Sequence, residues 1–123
     1  MHWFAMALRR RTSTSCGCPV RGSCRSPRRL LASERYDALV AVGAVIRGGT
    51  PHFEYVAGEA SRGLALASTD FDTPIGFGLL TCDNLTQAEE RAGGAHGNKG
   101  WDAALAALEM SDLFDRLDAT DED

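Results

Sequence analysis

The feature that most constrains the fold is a run of nine apolar or glycine residues, Ala38–Ile46. Successive residues of a strand point to opposite faces, so a run without polar residues leaves neither face suited to water. Such runs are typical of a parallel strand covered by helices on both sides. The turn Arg47-Gly-Gly-Thr50 follows, and Pro51 suits the first position of a helix. The run therefore predicts a strand leading directly into a helix.

The residues after this turn predict an alternation of helices and strands. Asp70 to Thr73 interrupt the first helix, and Pro74–Leu80 predicts a second buried strand. Asn84, with Gln87 three residues later, predicts a capped short helix that ends at Gly93-Gly94. The apolar spacing of the first helix predicts that it buries Phe53, Val56, Ala57, Ala60, Leu64 and Ala67. A last helix, from about Trp101, is predicted to bury Ala104, Leu105, Leu108, Leu113 and Leu117. This order predicts an α/β fold with a parallel sheet.

Charge divides the chain into two unlike parts. The 123 residues carry a net charge of -4, yet residues 1–33 hold seven arginines and no acid, while the remainder holds 17 acids against six bases. The parts therefore carry +7 and -11. The acidic body argues against binding to nucleic acid, and no apolar run is long enough to predict a membrane span. Only one of four cysteines, Cys82, lies in the patterned part, which argues against a disulfide framework there.

Residues 1–33 allow several interpretations. Their arginines and serines, without acids, are typical of a transit peptide. A basic arm that binds nucleic acid has a similar composition. Cys16, Cys18 and Cys24 are candidate metal ligands, although a fourth ligand at a usual spacing is missing.

Several residues of the patterned part suit a site for an anionic substrate. Gly49 and Thr50 lie between a strand end and a helix start, where backbone N–H groups favour a phosphate. His52 follows in the first helical turn and has a side chain suited to proton transfer at neutral pH. Arg91 is a candidate phosphate ligand, and Phe77 a candidate ring for stacking on a heterocycle. Each also has an ordinary interpretation: a plain turn, a solvated histidine or arginine, and a core phenylalanine.

Two long stretches resemble the lumazine synthase family. They are Gly43-Ala-Val-Ile-Arg-Gly-Gly-Thr-Pro-His-Phe-Glu-Tyr-Val56 and Gly78-Leu-Leu-Thr-Cys-Asp-Asn-Leu-Thr-Gln-Ala-Glu-Glu-Arg-Ala-Gly-Gly-Ala-His-Gly-Asn-Lys-Gly100. The resemblance implies a flavodoxin-like parallel sheet with helices on both faces. It also implies a cytoplasmic transferase of riboflavin biosynthesis, which joins 5-amino-6-(D-ribitylamino)uracil to 3,4-dihydroxy-2-butanone 4-phosphate. No metal or organic cofactor is implied.

The resemblance also implies roles for individual residues. His52 corresponds to the proton donor, and Lys99 to a lysine that lines the site with a less defined role. Gly49, Thr50 and Arg91 correspond to residues that bind the phosphate of the butanone. The ribitylaminouracil is contacted in the family by the residues at Ala44, Val45, Ile46 and Phe77. Family members assemble as pentamers, or multiples of pentamers up to a hollow shell, with the active site between neighbouring subunits.

The family's first two strands cannot be recognised in residues 1–28. One of them carries a Pro-Gly-Ala-aromatic-Glu-Leu/Ile-Pro motif that holds the substrate. When the third base of each codon is joined to the first two of the next, synonymous codons exist that re-read Thr12 to Arg28 as Val-Asp-Val-Val-Arg-Val-Pro-Gly-Ala-Trp-Glu-Leu-Pro-Leu-Ala-Ala. We therefore interpret residues 1–28 as an out-of-frame or disordered segment. Residues 29–123 are then an N-terminally incomplete lumazine synthase domain without its first two strands.

This interpretation carries an expectation about the strand at Ala38–Ile46. Without its neighbour, the strand would expose an apolar edge, which favours aggregation. The alternative to an active enzyme is therefore an inactive remnant that acts at most as an assembly subunit.

Overall fold

The computed structural model describes residues 2–9, 12–19 and 25–121, with side chains from residue 27 onward. A four-stranded sheet has the order β2-β1-β3-β4. The strands are β1 (His2–Arg9), β2 (Thr12–Pro19), β3 (Ala38–Ile46) and β4 (Ile75–Cys82). The helices are α1 (Arg25–Leu31), α2 (His52–Phe71), α3 (Leu85–Arg91) and α4 (Lys99–Asp121). A two-stranded ribbon of β5 (Ala92–Gly94) and β6 (Gly97–Asn98) joins α3 to α4.

The predicted α/β architecture is confirmed for the central unit, in which β3 and β4 pair in parallel with α2 between them. The predicted strand at Ala38–Ile46 has the same bounds as β3. Parallel pairing is limited to this pair, because β1 runs antiparallel to both β2 and β3. The sheet described here is therefore mixed rather than wholly parallel.

The expectation of an open edge on β3 is wrong for most of the strand. β1 pairs along it from Leu8 opposite Ala38 to Trp3 opposite Gly43. Ladder hydrogen bonds join backbone groups, so an extended segment can pair without a particular side-chain sequence. The pairing with β1 stops before Ala44, whereas the pairing with β4 continues to Ile46.

One face of the sheet is covered by α2, as the helical spacing predicts. Leu39, Ala41 and Val45 of β3 meet the buried face of this helix, which consists of Ala60, Leu64 and Ala67. Phe53, Val56 and Ala57 pack at the margin of the same cluster. Pro51 is the N-cap residue rather than the first residue of α2, one position from the prediction. Asp72 ends the helix in a left-handed conformation.

The opposite face is covered by the first half of α4, and here the predicted burial is wrong. Ala103 and Ala107 are buried against Ala38 and Val40, and Ala104 is partly buried. The four predicted leucines are 40 to 53% exposed: Leu105, Leu108, Leu113 and Leu117. A Cβ on Gly76 would lie 2.1 Å from the Ala103 carbonyl oxygen. The helix thus approaches β4 through its alanines, and its leucines point elsewhere.

Candidate functional site

The turn between β3 and α2 lies open at the carboxyl end of the parallel strands. Gly48, Gly49, Thr50 and His52 are all exposed. No atom lies within 4 Å of the position that a Cβ would take on Gly48 or Gly49, and neither residue has a positive φ. Neither packing nor backbone conformation therefore demands glycine here. Open space above a helix start instead leaves the backbone accessible to a ligand, as an anion site requires.

Arg47 ties this turn to its surroundings. Its Nε donates to Asp83 Oδ1 at 2.9 Å and its Nη1 to Glu54 Oε1 at 3.1 Å. Its guanidinium carbon also lies 4.5 Å from the centre of the Phe53 ring. The hydrogen bond to Asp83, and then that to Glu54, raises the pKa of Arg47 above its ordinary value. Arg47 therefore stays charged throughout the pH range in which proteins are folded.

No role for Arg47 was predicted from the sequence, because its partner Asp83 follows only from the register between β3 and β4. Ile46 pairs with Cys82, so Arg47 and Asp83 are the next residues of two parallel strands. Residues that follow adjacent parallel strands emerge at one edge of the sheet, where opposite charges can meet.

The predicted uracil-contacting residues of β3 occupy different environments. Ala44 is half-buried and borders a cavity, Ile46 is half-buried at the strand end, and Val45 is 1% exposed within the cluster under α2. Among the strands that the structure describes, none pairs with Ala44–Ile46 on the side away from β4. The backbone edge of these three residues is thus open where a substrate contact is predicted.

A second group of predicted residues lies along β4, α3 and the start of α4. Phe77 is 48% exposed on β4, the outer strand of the described sheet. Arg91 is partly buried, and its Nη1 donates to the Gln87 carbonyl at 3.0 Å. Lys99 Nζ pairs with Asp102 Oδ2 at 3.0 Å. Asp102 is an additional charged group beside a predicted site residue, and its i,i+3 spacing from Lys99 is a sequence signal for this pair.

Arg91 also borders a cavity of about 450 Å³ between the sheet and α3. Its walls are mostly apolar, with Glu89, Arg91 and Asn98 as the polar residues. Gly78 of β4 and Gly100 of α4 line the same cavity. Arg91 therefore shares a cavity with Ala44 of β3 and Leu80 of β4, near the carboxyl ends of the parallel strands.

Phe77 lies too far from the phosphate turn for the two to hold one small molecule within a single chain. Phe77 precedes Cys82 by five positions, and Cys82 is level with Ile46. At roughly 3.3 Å per strand residue, Phe77 lies about 16 Å back along the sheet from that level. His52 lies beyond Ile46 in the other direction along the chain. One chain thus presents two partial sites.

Two further observations concern other classes of site. Among the described side chains, those of residues 27–120, no three His, Cys, Asp or Glu residues are grouped so as to hold a metal ion, and the candidate ligands Cys16, Cys18 and Cys24 lie outside that range. No helix within residues 2–9, 12–19 and 25–121 combines the length and apolarity needed to cross a bilayer. The buried thiol of Cys82 is free.

An open glycine turn at the start of a helix, beside a histidine and at the carboxyl end of parallel strands, defines an α/β protein with a place for an anionic ligand. Comparison with known proteins gives the family. Residues 24–115 match the model of 6,7-dimethyl-8-ribityllumazine synthase, and the chain belongs to that family.

Two curated relatives carry the same name. The chain is 72% identical over 97 residues to 6,7-dimethyl-8-ribityllumazine synthase of Gemmatimonas aurantiaca. The aligned residues cover 78% of this chain and 59% of the relative. It is 56% identical over 90 residues to that of Syntrophus aciditrophicus, which covers 73% of this chain and 58% of the relative. The chain thus spans less than two thirds of the length of either relative.

Proposed function

We propose that this chain provides the phosphate-binding and proton-transfer part of a lumazine synthase. The reaction joins 5-amino-6-(D-ribitylamino)uracil to 3,4-dihydroxy-2-butanone 4-phosphate, and it yields 6,7-dimethyl-8-ribityllumazine, inorganic phosphate and water. The observation that carries the proposal is the family match, which includes the open Gly48–Thr50 turn and His52. Cytoplasmic localisation follows from the family alone and is part of the proposal.

The chemistry needs little from the protein beyond placement. The uracil's amine condenses with the butanone's ketone to an imine with loss of one water, phosphate leaves, and ring closure expels a second water. Backbone N–H groups of Gly49 and Thr50 hold the phosphate at the start of α2. His52, in the first turn of the same helix, moves protons near the leaving group. Proximity of the two reactants provides the remaining acceleration.

We propose that each complete site forms between two copies of the chain. One copy supplies the open edge at Ala44–Ile46, the phosphate turn and His52. The neighbour supplies Phe77, which stacks on the pyrimidine, while Arg91 and Lys99 complete the site. The separation of about 16 Å along the sheet supports this arrangement, because it keeps Phe77 away from the phosphate turn of its own chain. A half-exposed phenylalanine on an outer strand suits a ring used by another copy.

The exposed face of α4 supports self-association, which we propose to be a pentamer or a multiple of it. Exposed apolar patches of this kind mark interfaces in soluble proteins. Two apolar rows on α4 are exposed: Trp101, Leu105 and Leu108 form one, and Met110, Leu113 and Leu117 form the other. We further propose that β3, α2, β4, α3 and α4 form part of a flavodoxin-like domain, with α2 on one face of the sheet and α4 on the other.

A second candidate function is an inactive remnant of the same enzyme. The codon re-reading of Thr12 to Arg28, which contains the family's Pro-Gly-Ala-Trp-Glu-Leu-Pro motif, favours it. Contacts with α2 begin at the end of that segment. Arg28 bonds Asp70 of α2 at 2.6 Å, and Leu31 is buried in the cluster under α2. Under this proposal, residues 1–28 replace a strand that holds the substrate.

A turnover assay on two proteins separates the candidates. One is the 123-residue chain, and the other has Thr12 to Arg28 replaced by the re-read string. Equal lumazine formation by both would reject the remnant. Formation by the second protein alone would establish the remnant, while no formation by either would reject the proposed enzyme. His52→Asn in the active protein is expected to lower kcat by about 10²-fold, whereas Thr86→Ala, at an exposed position outside the site, should leave kcat unchanged.

A further inference from the structure

The contacts of Arg47 join three segments around the proposed phosphate turn. The residue itself follows β3, Glu54 and Phe53 belong to the first turn of α2, and Asp83 follows β4. The Arg47 backbone N–H also donates to the Cys82 carbonyl at 2.9 Å. One side chain thus connects both ends of the turn to the neighbouring strand.

The backbone of Asp83 is itself held by the start of α3. The Asp83 N–H donates to Gln87 Oε1 at 2.9 Å, and the Gln87 N–H donates to Asn84 Oδ1 at 2.9 Å. Asn84 is the N-cap residue of α3, so this network is anchored on a helix. Arg47 therefore bonds a residue whose backbone is anchored to α3.

The turn has few other restraints. Gly48 and Gly49 carry no side chain, and no atom lies within 4 Å of either Cβ position. The positive charge of Arg47 is already balanced by two carboxylates at hydrogen-bond distance. A guanidinium engaged in this way is better placed to hold the backbone than to bind an anion itself.

We propose that Arg47 is a positioning residue that orders the Gly48–Thr50 turn by bridging Asp83 and Glu54. The inference rests on the proposed function only for what the ordered turn binds. Arg47 acts through the backbone N–H groups of the turn, and it does not touch the phosphate.

The first arm of the test measures order in the turn without any ligand. In the 123-residue chain, ¹⁵N relaxation should give order parameters near 0.85 for the amides of residues 48–50, roughly the value of a rigid backbone. Arg47→Gln should bring them toward about 0.6, and Asp83→Ala should act in the same direction. The matched controls are Arg116→Gln and Asp112→Ala, which break another exposed Arg–Asp pair far along α4. Order parameters that Arg47→Gln leaves unchanged would overturn the proposal.

The second arm titrates inorganic phosphate and follows the same amides. Arg47→Gln and Asp83→Ala should each weaken phosphate binding about threefold to tenfold, the range expected for exposed pairs. Arg47→Lys should recover part of the loss, because it keeps a charge but not the two-pronged geometry. If Arg47 bound phosphate itself, Asp83→Ala would free it and tighten binding, which would overturn the proposal. An ordered turn that binds no phosphate would reject the proposed anion site and leave the role of Arg47 in ordering the turn supported by the first arm.

Discussion

The two long helices cover opposite faces of one sheet in different ways. α2 places larger side chains against β3, with Leu64 2% exposed and Phe53 and Val56 at the margin of the cluster. α4 meets the sheet through Ala103 and Ala107 and turns Leu108 to the outside, 51% exposed. An apolar helical pattern predicts that one face of the helix is covered, but it does not show which segment or which copy of the chain covers it. The α2 pattern is satisfied within the chain, and the α4 pattern is not.

The largest expected effect concerns the outer face of α4. Leu108→Glu places a charge in the proposed subunit interface, where the charge would be desolvated. We therefore expect the variant to sediment as a monomer. Analytical ultracentrifugation provides the measurement. Leu66→Glu on α2 is the matched control. Leu66 is similarly exposed, at 47%, but it lies on the helix whose predicted apolar face is covered within the chain. If Leu66→Glu dissociated the assembly and Leu108→Glu did not, the roles of the two helices would be reversed.

The next effect tests how closely α4 lies on the sheet. Gly76→Ala would bring a methyl group to 2.1 Å from the Ala103 carbonyl oxygen, so helix and strand must separate. We expect the free energy of unfolding in urea to fall by about 3 kcal/mol, at the upper end for overpacking.

Gly58→Ala provides the contrast on α2. Gly58 is exposed, and nothing lies within 4 Å of its Cβ position, so the substitution should raise the free energy of unfolding by roughly 0.5–1 kcal/mol through helix propensity. If Gly76→Ala were as stable as the parent, α4 and β4 would have to lie farther apart than described.

The smallest expected loss of stability concerns the N-cap of α3. Asn84→Ala removes the bond to the Gln87 N–H and should cost about 1 kcal/mol of unfolding free energy. Thr86→Ala, at an exposed position of the same helix, is the control. A loss confined to Thr86→Ala would contradict the capping role of Asn84.

Local patterns predicted those elements whose partners lie within the chain. The bounds of β3, the buried face of α2 and the Asn84 cap follow from apolar spacing and capping chemistry over a few residues. The exposure of Phe77 did not follow, because the strand pattern does not show that β4 is the outer strand of the described sheet. The Arg47 network required the register between β3 and β4, which is a relation between distant segments.

The candidate site was predicted as a set of residues, but not as an arrangement. Motif resemblance gave His52 and Phe77 a place in one reaction, whereas the structure separates them along the sheet. Sequence order carries no information on whether two residues of a motif act within one copy or across two. Only the length of β4 between Phe77 and Cys82 shows the separation.

The unoccupied space above Gly48 and Gly49 has a consequence for screening. Substitution by alanine at either position meets no steric obstacle, so such variants should melt at the parent's temperature and express at the parent's level. Thermal-shift or abundance screens of a mutant library would score them as neutral. Loss of the proposed function at this turn would therefore not show as a loss of stability. A selection for riboflavin prototrophy would be needed to detect it.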